Sequence, residues 1–244
     1  MSGQARAPAP LAETLVSVPQ ANELSPLLAA FVAAGHEPTP LILGRLDGHL
    51  FAELGLLFAV GGHGKTQLAV QTQYLIERAA HVGVVICAGA AGRLAGELTL
   101  GDVVVGTSTI EHDYKVRFVE RPLPDHRADT ELLEEFRLAA GRIGPEFRVL
   151  FGPIASGDED IVDPQRAREL REATGALCVA WEGAGAARAA RFSGPRFLEV
   201  RAITDSADRA AATDFHANLE RSMPNLARLL LAWALLRRRS QVSA

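Results

Sequence analysis

Short apolar runs alternate with helical patterns along almost the whole chain. The apolar runs are LVSV near residue 15, PLILG near 40, LFAVGG near 57, VGVVICAG from 82, DVVVGTS from 102, RVLFGPIASG from 148, ALCVAWEG from 177 and FLEVRAITD from 197. Continuously apolar runs of this kind are typical of strands covered on both faces. Helices are predicted over residues 65–80, 130–143, 164–175, 183–194 and 226–236. The alternation predicts an α/β fold around a central, mostly parallel sheet.

The chain is interpreted as one domain behind a short tail. Its 244 residues contain no linker, composition break or repeat, and the Ala-, Pro- and Gly-rich start predicts a flexible tail over residues 1–13 and a single domain over 14–244. The start lacks the apolar stretch of a secretory signal. The apolar segment 226–236 is interrupted by Arg228 and is shorter than the roughly 20 residues that cross a bilayer. We therefore expect a cytoplasmic protein with a docked C-terminal helix and no membrane partner.

Composition and charge narrow the classes of partner. Apolar residues make up 48% of the chain and charged residues 22%, as in ordinary globular proteins. The formal charge of −4 gives no electrostatic reason to expect nucleic acid or an anionic membrane. Cys87 and Cys178 lie inside apolar runs and are expected to be small buried side chains. We expect neither a metal site nor a disulfide framework.

Glycines and acids gather where the predicted strands end. Three strands end in glycine-rich turns, LFAVGGHGK, VVICAGAAG and GPIASGD, and two others end on the carboxylates Glu182 and Asp205. In open α/β sheets, ligands bind at the carboxyl ends of strands, where glycine lets the backbone approach them closely. This pattern predicts a small-molecule site at one edge of the sheet.

One of these turns resembles a phosphate-binding loop. AVGGHGKT at 59–66 follows a strand and precedes a helix, as such a loop requires, but its first position is Ala59 instead of glycine. Asp102, the acid that would complete a magnesium site, begins its strand instead of ending it. We favour a tight strand-to-helix turn bordering another site, in which His63 is solvated or capping. Nucleotide binding through Lys65 is the less favoured alternative.

Several spaced motifs together resemble one family. They are LVSVPQANE, GGHGK, GAAGRL followed by GDVVV, an HD pair, SGD, the Glu of WEGAG, and RAITDSAD. In this order they resemble the purine nucleoside phosphorylase and nucleosidase superfamily, and within it most closely the 5'-methylthioadenosine/S-adenosylhomocysteine nucleosidases. The resemblance covers nearly the whole chain from about Leu15. It implies a three-layer αβα sandwich around a twisted mixed sheet, a homodimer, and hydrolysis of a purine N-glycosidic bond without a cofactor or metal.

The resemblance implies roles for three acids. Cleaving this bond passes through a ribosyl oxocarbenium ion, so a site must protonate the leaving base, stabilise the sugar cation and orient a water molecule. Asp205 matches the acid that protonates purine N7, Glu182 the acid that binds the ribose hydroxyls, and Glu23 the carboxylate that activates water. The residues alone leave other interpretations open: a helix N-cap for Asp205, a solvated strand end for Glu182 and a first-turn helix acid for Glu23.

Further residues match substrate-binding positions. Trp181, with Ala180 before it, falls beside the ribose, although an indole there could instead fill the core. Gly89 belongs to the glycine-rich turn near the sugar. Phe118 lies near where the family places aromatic residues that close the 5' pocket across the dimer interface.

Two departures from the family pattern bear on the substrate. Asp160 stands where an aromatic residue normally stacks on the purine, next to Ile161, which offers backbone contacts to the base edge. Ala90 replaces a small hydroxyl residue near the reacting sugar. Asp160 predicts that the base is held differently, and Ala90 predicts slower hydrolysis or a different nucleoside.

Water is the expected nucleophile. A phosphorylase of this superfamily needs arginines before the glycine-rich turn and in the first loop, but this chain has CAG before AAG and VPQANE in the first loop. The nucleoside and its 5' substituent stay open, with futalosine or a specialised nucleoside as alternatives. A non-catalytic nucleoside-binding module is the alternative from a different class.

Overall fold

The computed structural model describes residues 12–79 and 81–242, which form ten strands and six helices. The strands are β1 (Thr14–Val18), β2 (Thr39–Leu43), β3 (Leu46–Phe51), β4 (Leu56–Val60), β5 (Val84–Arg93), β6 (Val103–Glu111), β7 (Asp125–Arg127), β8 (Val149–Ser156), β9 (Cys178–Ala180) and β10 (Arg196–Asp205). The helices are α1 (Ala21–Ala33), α2 (Gly64–Ala79), α3 (Thr130–Ala140), α4 (Pro164–Thr174), α5 (Gly183–Ser193) and α6 (Ala211–Val242).

The predicted α/β class is confirmed. Every predicted apolar run contains a strand, and the five predicted helices correspond to α2–α6. The structure adds β3, β7 and α1, and α6 begins about four turns before the predicted segment. Asp47, Gly48 and His49 interrupt the apolar pattern of β3, which is paired antiparallel between β2 and β4.

The strands form one mixed sheet. Its order is β10-β6-β8-β9-β5-β1-β4-β3-β2, with β7 on β6. Because β10 also pairs with β5, the strands β5, β9, β8, β6 and β10 form a closed ring. The predicted predominance of parallel pairing is not confirmed, since the described strands make five parallel and five antiparallel pairs.

Helices cover both faces of the central strands. Val16 of β1 and Ile86 of β5 pack into a core with the apolar faces of α1, α3 and α6. Their neighbours Leu15 and Val85 point the other way, into a core with α2 and α5. This arrangement explains why the strands are apolar at successive positions. The predicted docked C-terminal helix is part of the first core, where Trp233 is fully buried.

Local sequence sets the ends of the helices. In α4, the Asp163 carboxylate accepts a hydrogen bond from the Gln165 N–H at 2.9 Å, and Pro164 takes the first helical position. Gly175 ends that helix with a φ of 66°, a backbone conformation that glycine adopts without strain. No helix in the described part of the chain is both long and apolar enough to cross a membrane.

Most of the predicted tail lies outside the described residues. Of residues 1–13, only Ala12 and Glu13 are described. Ala12 is buried, and the Glu13 carbonyl oxygen accepts hydrogen bonds from Gly83 and Val84. These two residues are thus packed against the start of β5. The tail and the domain boundary stay predictions.

Candidate active site

A cavity of about 390 Å³ lies at the carboxyl ends of β1, β4, β5, β9 and β10. This volume is within the range of small-molecule sites. Eight of the predicted site residues line it: Glu23, Ala90, Asp160, Ile161, Ala180, Trp181, Glu182 and Asp205. Segments more than 180 residues apart in the sequence therefore contribute to one site, as the strand-end pattern predicted.

Glu23 both caps a helix and lines the cavity. One carboxylate oxygen, Oε2, accepts a hydrogen bond from the backbone N–H of Gln20 at 3.0 Å, at the start of α1. The other, Oε1, accepts from the Ala90 N–H at 2.7 Å, on the cavity side of β5. The side chain is thereby held at both oxygens. The two interpretations of this residue, helix acid and site residue, describe the same geometry.

Burial changes the acidity of Glu23. The residue is only 2% exposed. Its burial, together with the negative charge of Glu182, raises the pKa of the Glu23 carboxyl from 4.5 to about 7, against the opposing effects of the Ala90 N–H, the Arg201 cation and the Gln20 N–H. A carboxylate with a pKa close to neutral is suited to accept a proton at physiological pH.

Glu182 is fixed between a turn and a buried cation. Its Oε1 accepts from the Gly64 N–H at 3.4 Å and lies 3.5 Å from His63 Nδ1. Its Oε2 lies 3.3 Å from Arg201 Nη2. Glu182 is 4% exposed and is the residue before α5, so it is a buried and anchored acid instead of a solvated strand end.

Arg201 is a site residue that the sequence interpretation missed. Its side chain is buried, with Nε 2.8 Å from Glu199 Oε1 and Nη1 3.2 Å from the Ala90 carbonyl oxygen. A buried cation must be paired, and here it is shared by Glu199 and Glu182. The sequence contains a feature that points to this residue: Glu199 and Arg201 are two charged residues inside the apolar run FLEVRAITD.

Gly89 lies beneath the cavity instead of lining it. A Cβ atom at this position would come within 2.7 Å of Arg201 Nη1 and 2.8 Å of Glu23 Oε1. Only a residue without a side chain lets these two groups sit against β5. The missing side chain at Gly89 thus leaves the space that Glu23 and Arg201 occupy.

Asp205 is the third buried acid that lines the cavity. Its Oδ1 accepts from the Ala207 N–H at 2.9 Å, and its Oδ2 accepts from the Thr204 hydroxyl at 3.0 Å. Burial raises the pKa of its carboxyl above the usual 3.8, although these hydrogen bonds act in the other direction. Because α6 starts at Ala211, Asp205 is not the N-cap of that helix. Its environment favours a carboxyl that can hold a proton.

The GGHGK turn borders the cavity, as expected. His63 and Trp181 both line it, with ring centroids 4.3 Å apart. Trp181 is therefore a wall residue and does not fill the apolar core. The ammonium group of Lys65 is already paired with Glu111 at 2.9 Å and with Asp113, so it is not available to bind a phosphate. The phosphate-loop alternative is not supported by this geometry.

The remaining predicted residues lie in different surroundings. Asp160 is exposed at the cavity wall beside buried Ile161. Phe215 of α6 also lines the cavity and is an aromatic residue that the sequence interpretation missed. Phe118 is fully exposed and is not among the residues that line the cavity.

Neither cysteines nor metal ligands form a further centre here. Cys87 and Cys178 are free, buried thiols. Among residues 12–79 and 81–242, no group of three or more His, Cys, Asp or Glu side chains could hold a metal ion.

Comparison with known proteins agrees with the fold. A family model described as the phosphorylase superfamily matches residues 28–235. A curated 5'-methylthioadenosine/S-adenosylhomocysteine nucleosidase of Geobacillus kaustophilus is 32% identical over 197 residues, covering 78% of this chain and 81% of the relative. An aminodeoxyfutalosine nucleosidase of Helicobacter pylori is 28% identical over 214 residues, covering 86% of this chain and 92% of the relative.

A solved structure gives the same picture. The 5'-methylthioadenosine/S-adenosylhomocysteine nucleosidase of Neisseria meningitidis, in complex with methylthio-immucillin-A, superposes with a TM-score of 0.79 at 27% identity. The match covers 91% of this chain and 98% of that structure.

Proposed function

Because this chain belongs to the phosphorylase superfamily, we propose that it is a nucleosidase that hydrolyses the N-glycosidic bond of a purine nucleoside, such as 5'-methylthioadenosine or S-adenosylhomocysteine. The observation that carries the proposal is the meeting of Glu23, Glu182 and Asp205 at one cavity. We assign these three acids the roles of base, sugar ligand and general acid. The site belongs to one domain over residues 14–244.

Bond cleavage begins at Asp205. Its protonated carboxyl donates a proton to N7 of the purine while the bond between C1' and N9 breaks and its electron pair moves onto the base. The ribose becomes an oxocarbenium ion. Glu182 accepts hydrogen bonds from the ribose hydroxyls and places its negative charge beside this cation. The buried position of Asp205 supports its role, since burial favours the protonated acid.

Water completes the reaction at Glu23. The water oxygen bonds to C1' while the Glu23 carboxylate takes one of its protons, so that free base and the ribose derivative leave. Asp205 is then ionised and Glu23 protonated, and both return to their starting states by proton exchange with solvent. The anchoring of Glu23 by Gln20 and Ala90 supports this role, because a general base must be held in position.

The lining of the cavity favours water over phosphate. Among its described lining residues there is no lysine or arginine, whereas five are carboxylic acids: Glu23, Glu159, Asp160, Glu182 and Asp205. Arg201 lies behind the wall and is already paired with Glu182 and Glu199. A phosphate dianion would therefore meet these acids with no lysine or arginine on the described lining to offset its charge.

The remaining predictions belong to the same proposal. Cores on both sides of β1 and β5 support a three-layer αβα arrangement. Fully exposed Phe118 and the partly exposed Val119 beside it support a homodimer in which this segment meets a second copy and closes the 5' pocket. Ala90, Ala180, Trp181 and Ile161 contact the substrate. The cytoplasmic location stays a prediction from the sequence.

Base release in solution tests the proposal. The wild-type chain is incubated with methylthioadenosine, S-adenosylhomocysteine, adenosine, inosine and futalosine, each with and without phosphate, and the products are separated by chromatography. We expect adenine from the first two substrates at a rate that phosphate does not change. A rate that depends on phosphate and a sugar 1-phosphate product would instead identify a phosphorylase.

Two alternatives have distinct outcomes in the same assay. A futalosine-type substrate is favoured by the similarity to the aminodeoxyfutalosine nucleosidase, and hypoxanthine released from futalosine would identify it. A non-catalytic binding module is favoured by Asp160 and Ala90, which depart from the family pattern. It would bind a nucleoside in calorimetry without releasing base from any substrate.

A further inference from the structure

Two polar side chains lie next to Glu182 where the cavity meets solvent. The side-chain nitrogen of Gln20 is 3.3 Å from Nδ1 of His63, and the same Nδ1 is 3.5 Å from Glu182 Oε1. The His63 side chain is 50% exposed, whereas the Glu182 side chain is 6% exposed. This part of the cavity wall is therefore polar and open to solvent.

Stacking restricts how His63 can move. Its ring lies against the Trp181 indole with 4.3 Å between centroids and 36° between planes. The glycines on either side of it, Gly62 and Gly64, have φ values of 99° and 75°, so the turn presents the imidazole in a defined direction. His63 is thus a positioned group instead of a freely rotating surface side chain.

Asp205 and Glu182 have different neighbours on the cavity wall. The Ala207 N–H bonds to Asp205, whereas His63 lies beside Glu182 and Gln20 lies beside His63. In the proposed function, on which this inference rests, the purine lies at Asp205 and the ribose at Glu182. A nucleoside continues beyond its ribose through the 5' substituent. The wall that continues beyond Glu182 is formed by His63 and Gln20.

We propose that His63, assisted by Gln20, determines specificity by binding a hydrogen-bonding or charged group on the 5' substituent. An imidazole and an amide can each donate and accept a hydrogen bond. An apolar methylthio group placed over them would remove their water without replacing its hydrogen bonds, which is unfavourable. The amino acid group of S-adenosylhomocysteine replaces those bonds. The site therefore prefers S-adenosylhomocysteine to 5'-methylthioadenosine.

The available donors agree with this assignment. The cavity lining, within the residues that the structure describes, contains two groups that can carry positive charge, His63 and His216. His216 belongs to α6 beside Phe215. His63 is the one of the two that lies beside Glu182, so we assign a carboxylate of the 5' substituent to His63.

Substrate discrimination tests the inference. We measure kcat/KM for S-adenosylhomocysteine and for methylthioadenosine and follow their ratio in wild type, His63→Leu and His63→Gln. Leucine keeps the bulk and removes the polar atoms, so the ratio is expected to fall about tenfold, which corresponds to about 1.4 kcal/mol. Glutamine restores a donor and an acceptor and should recover the ratio to within about threefold of wild type.

A histidine elsewhere supplies the matched control. His36 pairs with Glu53 at 3.1 Å outside the cavity, so His36→Leu should leave the ratio unchanged. Thermal melting checks that each variant is folded. If His63→Leu does not fold, Gln20→Leu carries the same test, with an expected fall of about threefold in the ratio.

The outcomes separate this inference from the proposed function. Adenine release with an unchanged ratio in a folded His63→Leu or Gln20→Leu variant overturns the specificity role and leaves the nucleosidase function standing. If the wild-type chain prefers methylthioadenosine, the specificity role is likewise overturned and the nucleosidase function still stands. If the wild-type chain releases base from neither substrate, the proposed function fails and this inference fails with it.

Discussion

Replacing Glu23 with glutamine should make the protein more stable at alkaline pH while removing the proposed base. In the folded protein the carboxyl holds its proton up to about pH 7, whereas its ordinary pKa is 4.5. Between these values the folded state binds more protons than the unfolded state, so stability falls as the pH rises through this window. Glutamine has no proton to lose, and this part of the pH dependence should disappear.

The magnitude follows from the two pKa values. Integrating the proton difference from pH 5 to pH 8, with pKa values of about 7 folded and 4.5 unfolded, gives a loss of about 2.5 kcal/mol in the wild type. The substitution also has a cost that does not depend on pH. The glutamine oxygen can still accept from Ala90, but its NH₂ group would face the Gln20 N–H, which loses a hydrogen bond of about 1 kcal/mol.

Urea denaturation at several pH values measures this effect. The difference in unfolding free energy between Glu23→Gln and wild type should rise by about 2.5 kcal/mol from pH 5 to pH 8. Glu77→Gln is the matched control, because Glu77 is exposed on α2 and its described side-chain hydrogen bond is to Gln73. The difference in unfolding free energy between Glu77→Gln and wild type should stay constant from about pH 5 to about pH 8. If the difference between Glu23→Gln and wild type also stays constant, the Glu23 carboxyl does not bind a proton near neutral pH, and this prediction is refuted.

Three further outcomes follow from the site. Asp205→Asn should lower kcat for base release at least about a hundredfold while the Kd from calorimetry changes less than about threefold, and an unchanged kcat would remove its role as acid. In wild type, kcat/KM should have a bell-shaped pH profile with one limb near pH 7, because Glu23 must be ionised while Asp205 is protonated, and a flat profile from about pH 5 to about pH 9 would contradict this. Arg201→Met leaves Glu182 and Glu199 buried without their cation and should lower the unfolding free energy by about 3–5 kcal/mol, whereas a loss under about 1 kcal/mol would argue against a structural ion pair.

Much of the fold could be predicted because the central strands pack against helices on both faces. Burial on both faces makes runs such as VVICAG continuously apolar, and this pattern stands out in a single sequence. Strand β3 has no such pattern, because it lies between β2 and β4 near the sheet edge, with Asp47 exposed. The closed ring depends on pairs such as Gly92 with Asp205, which no local pattern encodes.

The sequence predicts those site residues that belong to the ordered motifs resembling the family. Glu23, Glu182 and Asp205 follow from those motifs, and the structure brings them to one cavity. Phe215 could not be found in this way, because it lies in a polar stretch of α6 without a motif. His63 was set aside as a solvated loop residue, and only the distances to Gln20 and Glu182 reveal its surroundings.

The closed ring of strands has a consequence for how the protein is made. The strand that closes the ring, β10, is the last one to leave the ribosome, and it pairs with β5 across more than a hundred residues of intervening chain. Pairing over such sequence separation is slow, because the chain must lose much conformational freedom before the contacts form. Asp205 is the final residue of that strand. The acid that we propose as proton donor thus reaches its place only when the ring of strands is complete, and a nascent or partly folded chain would lack it.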